Sequence, residues 1–156
     1  PVRNTEPVGK RLFNAALLLD GGACVAIRHK QLLPTYDVFD ENRYFESAPA
    51  SEVIAWRGRK LGVTVCEDMW NNEEQAPYYL YSDNPIDALA AQGAELFINL
   101  SASPFYSRKH RVRTRLIEES CTEHGLPFVY VNQVGANTEL IFDGDSRVHD
   151  ASGKIV

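Results

Sequence analysis

Apolar residues in this chain come in short blocks rather than long amphipathic runs, and the first blocks are paired. Residues 13–19 (FNAALLL) are apolar and short enough for a buried strand. Asp20-Gly21-Gly22 then reads as a tight turn, because glycine takes positive φ at no steric cost. Residues 24–28 (CVAIR) make the returning strand, which ends at His29-Lys30. A second pair follows: residues 53–56, a turn at Arg57-Gly58-Arg59, and 61–66 (LGVTVC). Between the pairs, residues 31–50 are aromatic and proline-bearing with no clear period, which predicts a long ordered loop.

The period then changes. Asn84 caps a helix that has Pro85 in its first turn, Ile86, Leu89 and Ala90 as its buried stripe, and Gly93 at its end. Residues 96–100 (LFINL) are another buried strand. Residues 108–124 form a longer helix, polar outside, with Val112, Leu116, Ile117 and Cys121 inward and Gly125 as the stop. Residues 128–131 (FVYV) are a strand, and the tail alternates strands with Asp143-Gly144 and Ser152-Gly153 turns. Paired strands followed by βαβ units imply an α/β, layered α+β architecture, with a sheet covered by helices on one side.

Composition narrows the function. A length of 156 residues suits one domain, and 44% hydrophobic content is enough for a sizeable core. The net charge of −5, with no long basic run, argues against nucleic acid as partner. No apolar stretch approaches the roughly 20 residues of a membrane helix, and Pro1-Val2-Arg3-Asn4 lacks the apolar core of a signal peptide. The three cysteines, Cys24, Cys66 and Cys121, are odd in number and widely spaced, so a reducing, cytoplasmic location is expected rather than a disulfide framework. The four histidines sit singly and no CxxC or HExxH occurs, so no metal site is expected.

The candidate chemistry lies in LGVTVCEDMW, residues 61–70. An apolar strand delivers Cys66 to its C-terminal end, the edge where ligands bind in open α/β sheets. Such a cysteine is a nucleophile if its thiolate is stabilised, and otherwise a small buried hydrophobe. Lys30 ends a strand and opens the aromatic loop. It is either a solvated charge or, beside a thiol, a group that lowers the thiol pKa and holds a developing oxyanion. Spacing permits the two to meet and does not require it.

Residues 30–45 (KQLLPTYDVFDENRYF) resemble the lysine motif of the nitrilase, or carbon–nitrogen hydrolase, superfamily, in the form found in glutamine-dependent NAD synthetases. Residues 63–70 (VTVCEDMW) resemble that family's nucleophile strand, and 99–105 (NLSASPF) its later NxSASPF segment. Residues 131–135 (VNQVG) and 142–146 (FDGDS) resemble its closing strands and turn. The resemblance implies an α-β-β-α sandwich. It implies that Cys66 attacks the side-chain amide of glutamine, with Lys30 and the Glu67 N–H on the oxyanion, so that ammonia leaves and a thioester is then hydrolysed. Tyr36, Glu67, Trp70 and Ser103 fall at glutamine-pocket positions, and Lys109 where a base meets the substrate carboxylate. Taken singly these are packed aromatics, a helix-capping serine and a solvated lysine.

The family also uses a glutamate general base upstream of the lysine. Only Glu6 and Asp20 are acidic before Lys30, and neither has the right context, while Glu41 and Glu67 lie downstream. The chain is therefore expected to be a partial glutaminase domain, cut at both ends, with the ATP-dependent synthetase domain absent because no SGGxDS-type phosphate loop occurs. The glutaminase step needs no cofactor; the family's synthetase step uses ATP and magnesium. A homo-oligomer is expected, with glutamine as substrate and the synthetase domain of the same polypeptide as partner. The rival readings are a stand-alone amidase of the superfamily and a non-catalytic fragment.

Overall fold

A computed structural model describes residues 1–70 and 81–156. The first strands, β1 (Val2–Arg3) and β2 (Leu12–Phe13), pair antiparallel. The hairpin follows as β3 (Ala15–Asp20) and β4 (Ala23–His29). Its turn places Gly21 and Gly22 at φ +57° and +81°, the double positive φ that a two-residue hairpin loop needs. The second hairpin is β5 (Ile54–Trp56) and β6 (Arg59–Val65), again through two positive-φ residues, Arg57 and Gly58.

From β6 the chain alternates. Helix α1 (Pro85–Ala91) leads to β7 (Leu96–Ser101), and α2 (Lys109–His124) leads to β8 (Phe128–Asn132). Strands β6, β7 and β8 pair parallel, as βαβ connections require. The remaining strands are β9 (Val134–Asn137), β10 (Leu140–Asp143) and β11 (Arg147–His149). The main sheet runs β11-β8-β7-β6-β5, antiparallel at both edges, while β9 and β10 form a separate hairpin.

Alternation along the parallel strands aims Phe97, Phe128 and Tyr130 at the helices, where Ile86 and Leu89 of α1 and Leu116, Ile117 and Cys121 of α2 meet them. Each such aliphatic or aromatic side chain contributes about 1.5–3 kcal/mol by leaving water. Gly62 in β6 makes room for this layer, since a Cβ there would sit 2.9 Å from the Phe97 ring. The Asn84 side chain accepts from the Ile86 and Asp87 amides at 3.0 and 3.4 Å, so it caps α1 as its sequence position predicts. The β3–β4 hairpin contacts β6, and its tip is tied to the β5–β6 turn by Trp56 Nε1 donating to Asp20 at 2.9 Å. Helices, main sheet and hairpin thus form a layered α/β arrangement. Among the described residues no helix is long and apolar enough to cross a membrane.

Two expectations need correction. The first hairpin is not a buried strand pair: Leu17 and Leu19 are 49% and 67% exposed, because a two-stranded hairpin packed on one side leaves its alternate residues outward. The buried face of helix α2 is not wholly apolar either. Arg113 is fully buried, its guanidinium 2.8 Å from Asp143 and 2.9 Å from the Ser103 carbonyl. A buried arginine is tolerable when its donors meet a carboxylate and carbonyls in this way.

Candidate active site

Strand β6 ends at Val65, and the chain turns at once into a short 3₁₀ helix, Cys66–Met69. Cys66 itself sits at φ +47°, a conformation that costs an L-residue on the order of 1 kcal/mol or more and that clusters at functional sites. A cavity of about 290 Å³, close to the lower limit of small-molecule sites, is lined there by Cys66, Glu41, Asn14, Phe39, Ser101 and Ala102, among others.

Lys30 follows β4 in a different sheet, yet its field reaches the sulfur. Burial pushes the Cys66 thiol up, the Lys30 ammonium and a hydrogen bond from the Ala102 amide pull it down, and Glu67 and Glu41 oppose them. Burial prevails, so the thiol pKa lies above its ordinary value although Lys30 lowers it, as expected of a lysine beside a thiol. Desolvation penalises the anion more than one ammonium favours it. A base must then take the proton during attack.

Lys30 is fully buried, with its Nζ 2.6 Å from Glu41 Oε1. Glu41 also faces the Asn14 amide at 3.3 Å. Glu41 therefore belongs to the site, although its place downstream of the lysine set it aside in the sequence. The signal that points to it is its position inside the aromatic loop that Lys30 opens, in a 3₁₀ turn, Glu41–Arg43. Glu6 is exposed, and Asp20 is bonded to Trp56 and Arg57 at the hairpin tip.

The remaining candidates form two pairs and a loop anchor. The Tyr36 hydroxyl donates to Glu67 at 2.8 Å and 3.0 Å, and Tyr81 reaches the same carboxylate at 3.3 Å. Burial raises the Glu67 pKa against the pull of Tyr36 and Lys30, and burial followed by Glu67 raises Tyr36. Lys109 lies 4.9 Å from the Trp70 ring and 4.7 Å from the Tyr106 ring, close enough for cation–π attraction to both. Burial lowers its pKa, with Arg113 acting in the same sense and Cys66 and Glu67 opposing. Ser103 does not cap α2, whose cap position is Arg108; it is 3% exposed, its N–H donating to Asn132 at 2.8 Å and its carbonyl accepting from Arg113.

A strand-end cysteine on a strained turn, under the influence of a buried ammonium and hydrogen-bonded by the Ala102 amide, is an arrangement that can carry acyl transfer. The carbon-nitrogen hydrolase family model matches residues 2–156, and the chain belongs to that family. It is 48% identical over 147 residues to the glutamine-dependent NAD(+) synthetase of Synechocystis sp., across 94% of this chain and 26% of that protein. The fold matches the glutamine-dependent NAD+ synthetase from Acinetobacter baumannii in complex with ADP at a TM-score of 0.82 and 34% identity, over 97% of this chain and 27% of that one. It also matches a variant of the amidase from Nesterenkonia sp. AN1 with acrylamide added at its active-site cysteine, at a TM-score of 0.68 and 27% identity, over 86% of this chain and 47% of that one. The chain spans about a quarter of the length of the two synthetases.

Proposed function

We propose that this chain is the glutamine-cleaving part of a glutamine-dependent NAD synthetase. Cys66 attacks the side-chain amide carbon of glutamine. Lys30 Nζ and the Glu67 N–H, which lies in the first 3₁₀ turn where amides lack helical partners, hold the oxyanion. The amide nitrogen leaves as ammonia, Cys66 keeps the glutamyl group as a thioester, and water releases glutamate. Glu67, oriented by Tyr36, receives the substrate α-amino group. Lys109, held by Trp70 and Tyr106, faces the α-carboxylate, and Ser103 shapes the wall behind it.

Ammonia then serves a synthetase domain of the same polypeptide, which uses ATP and magnesium to convert deamido-NAD to NAD. A cytoplasmic homo-oligomer is the expected setting. The observation that carries the reading is one cavity lined by Cys66 and by Glu41, the carboxylate partner of buried Lys30, and the likeness to NAD synthetases supports the substrate. In the complete protein, Cys66→Ala should abolish glutamine-dependent NAD formation while free ammonia still supports it. Full glutamine-dependent activity in that variant rejects the proposal. The Nesterenkonia likeness favours a second reading, an amidase acting alone on another small amide; release of ammonia from short aliphatic amides but not from glutamine would select it.

A further inference from the structure

We propose that Asp68 is a positioning residue of this site, a single carboxylate that joins the Lys30 loop to the Cys66 turn and so sets the distance between ammonium and sulfur. The proposal rests on the reading of Lys30 and Cys66 as the reacting pair. Lys30 follows β4 of the two-stranded hairpin, whereas Cys66 follows β6 of the five-stranded sheet. Among the described residues no strand ladder joins those two sheets, so backbone pairing alone does not fix one residue against the other.

Asp68 supplies the missing connection. Its Oδ1 accepts from the amides of Gln31 at 3.0 Å and Leu32 at 2.8 Å, the two residues after Lys30. Its Oδ2 accepts from the amide of Val65 at 3.0 Å, the residue before Cys66. The side chain is 2% exposed, so these bonds do not compete with bulk water. Two successive amides converging on one oxygen form a small anion-binding concavity, and bonds to a carboxylate are roughly twice as strong as neutral ones. Tyr36 to Glu67 is a second side-chain link between the loop and the turn, and it lies further along the loop. Both carboxylate oxygens are engaged by backbone amides of the loop and the turn, so Asp68 acts by placing Lys30 and Cys66 and not on substrate.

An asparagine here has the same shape but turns an NH2 toward one set of amides. It keeps either the Lys30 side or the Cys66 side, not both. A displacement of about 1 Å at a reacting pair lowers rates on the order of 100-fold.

The test is the rate at which iodoacetamide alkylates each cysteine of the complete protein at pH 7.5, read by peptide mass spectrometry. Lys30→Met should slow Cys66 by about tenfold, one pKa unit of lost thiolate. Asp68→Asn should slow it to a similar degree, with the rate at exposed Cys24 unchanged. The double variant should be no slower than either single one, since both remove the same interaction. Asp68→Glu, which keeps the charge on a longer arm, should fall between Asp68→Asn and the parent, and it serves if the asparagine variant does not fold. An Asp68 variant that leaves Cys66 unchanged or faster, or that adds fully to Lys30→Met, overturns the proposal. If Lys30→Met itself leaves Cys66 unchanged, the Lys30–Cys66 reading fails instead, and Asp68 with it.

Discussion

Lys30 Nζ lies 2.6 Å from Glu41 Oε1, with the lysine side chain fully buried. A buried ammonium left without its carboxylate is costly, by about 3–5 kcal/mol when one partner of such a pair is removed. Glu41→Gln should therefore do more than weaken packing. Lys30 would lose the carboxylate that holds and balances it, and with it its value as an oxyanion donor. We expect glutaminase kcat to fall about 100-fold or more, the loss typical of one missing donor. The check is ammonia release with saturating glutamine; a kcat within a factor of about 3 of the parent contradicts the role.

Tyr36 and Glu67 make a different test, because they are assigned to binding. Removing the hydroxyl in Tyr36→Phe deletes the 2.8 Å bond to a buried carboxylate. Hydrogen bonds to charged groups are worth about 1.5–3 kcal/mol, so kcat/KM for glutamine should fall about 10–100-fold, mostly through KM. Steady-state kinetics over a range of glutamine concentrations measures this. A loss confined to kcat would place Tyr36 in the chemical step instead.

Arg113 should govern stability. Its side chain holds Asp143 of β10 and the carbonyls of Ser103 and Pro104 together. Arg113→Met strands those acceptors and is expected to cost about 3–5 kcal/mol. For a domain of this size that lowers Tm by about 10 °C. Thermal unfolding followed by circular dichroism is the check, and an unchanged Tm would refute the clamp.

Asp68 titrates at about 6 rather than 3.8, because burial outweighs its bonds to Leu32, Val65 and Gln31. The folded value lies above the unfolded one, so the native state binds this proton more tightly. The resulting stability is complete below about pH 4 and is lost as pH rises through 6. The difference corresponds to about 3 kcal/mol. Relative to Asp68→Asn, the parent should lose about that much stability between pH 4 and pH 7. Urea midpoints at several pH values measure it; a gap between the two proteins that does not change with pH contradicts burial as the cause.

Much of the fold was legible because its signals are local. Asn84-Pro85 fixed the start of α1, the glycine turns fixed both hairpins, and the apolar runs at 61–65 and 96–100 became adjacent parallel strands. What escaped were relationships between distant residues of ordinary type. Arg113 and Asp143 are 30 positions apart, and a helical arginine reads as solvated until its partner is seen. Glu41 looked misplaced because chain order, not space, was the criterion. The burial that raises the Cys66 thiol against the pull of Lys30 escaped too, since a lysine is visible in a sequence but the depth of burial around a sulfur is not.

The central claim is that Cys66, and no other thiol, takes the acyl group from glutamine. It is tested most directly by treating the complete protein with an electrophilic glutamine analogue and mapping the adduct by mass spectrometry. The account predicts one adduct, on the Cys66 peptide, lost on prior incubation with glutamine and absent in Lys30→Met over the same time. An adduct on Cys24 or Cys121 with Cys66 unmodified would contradict it.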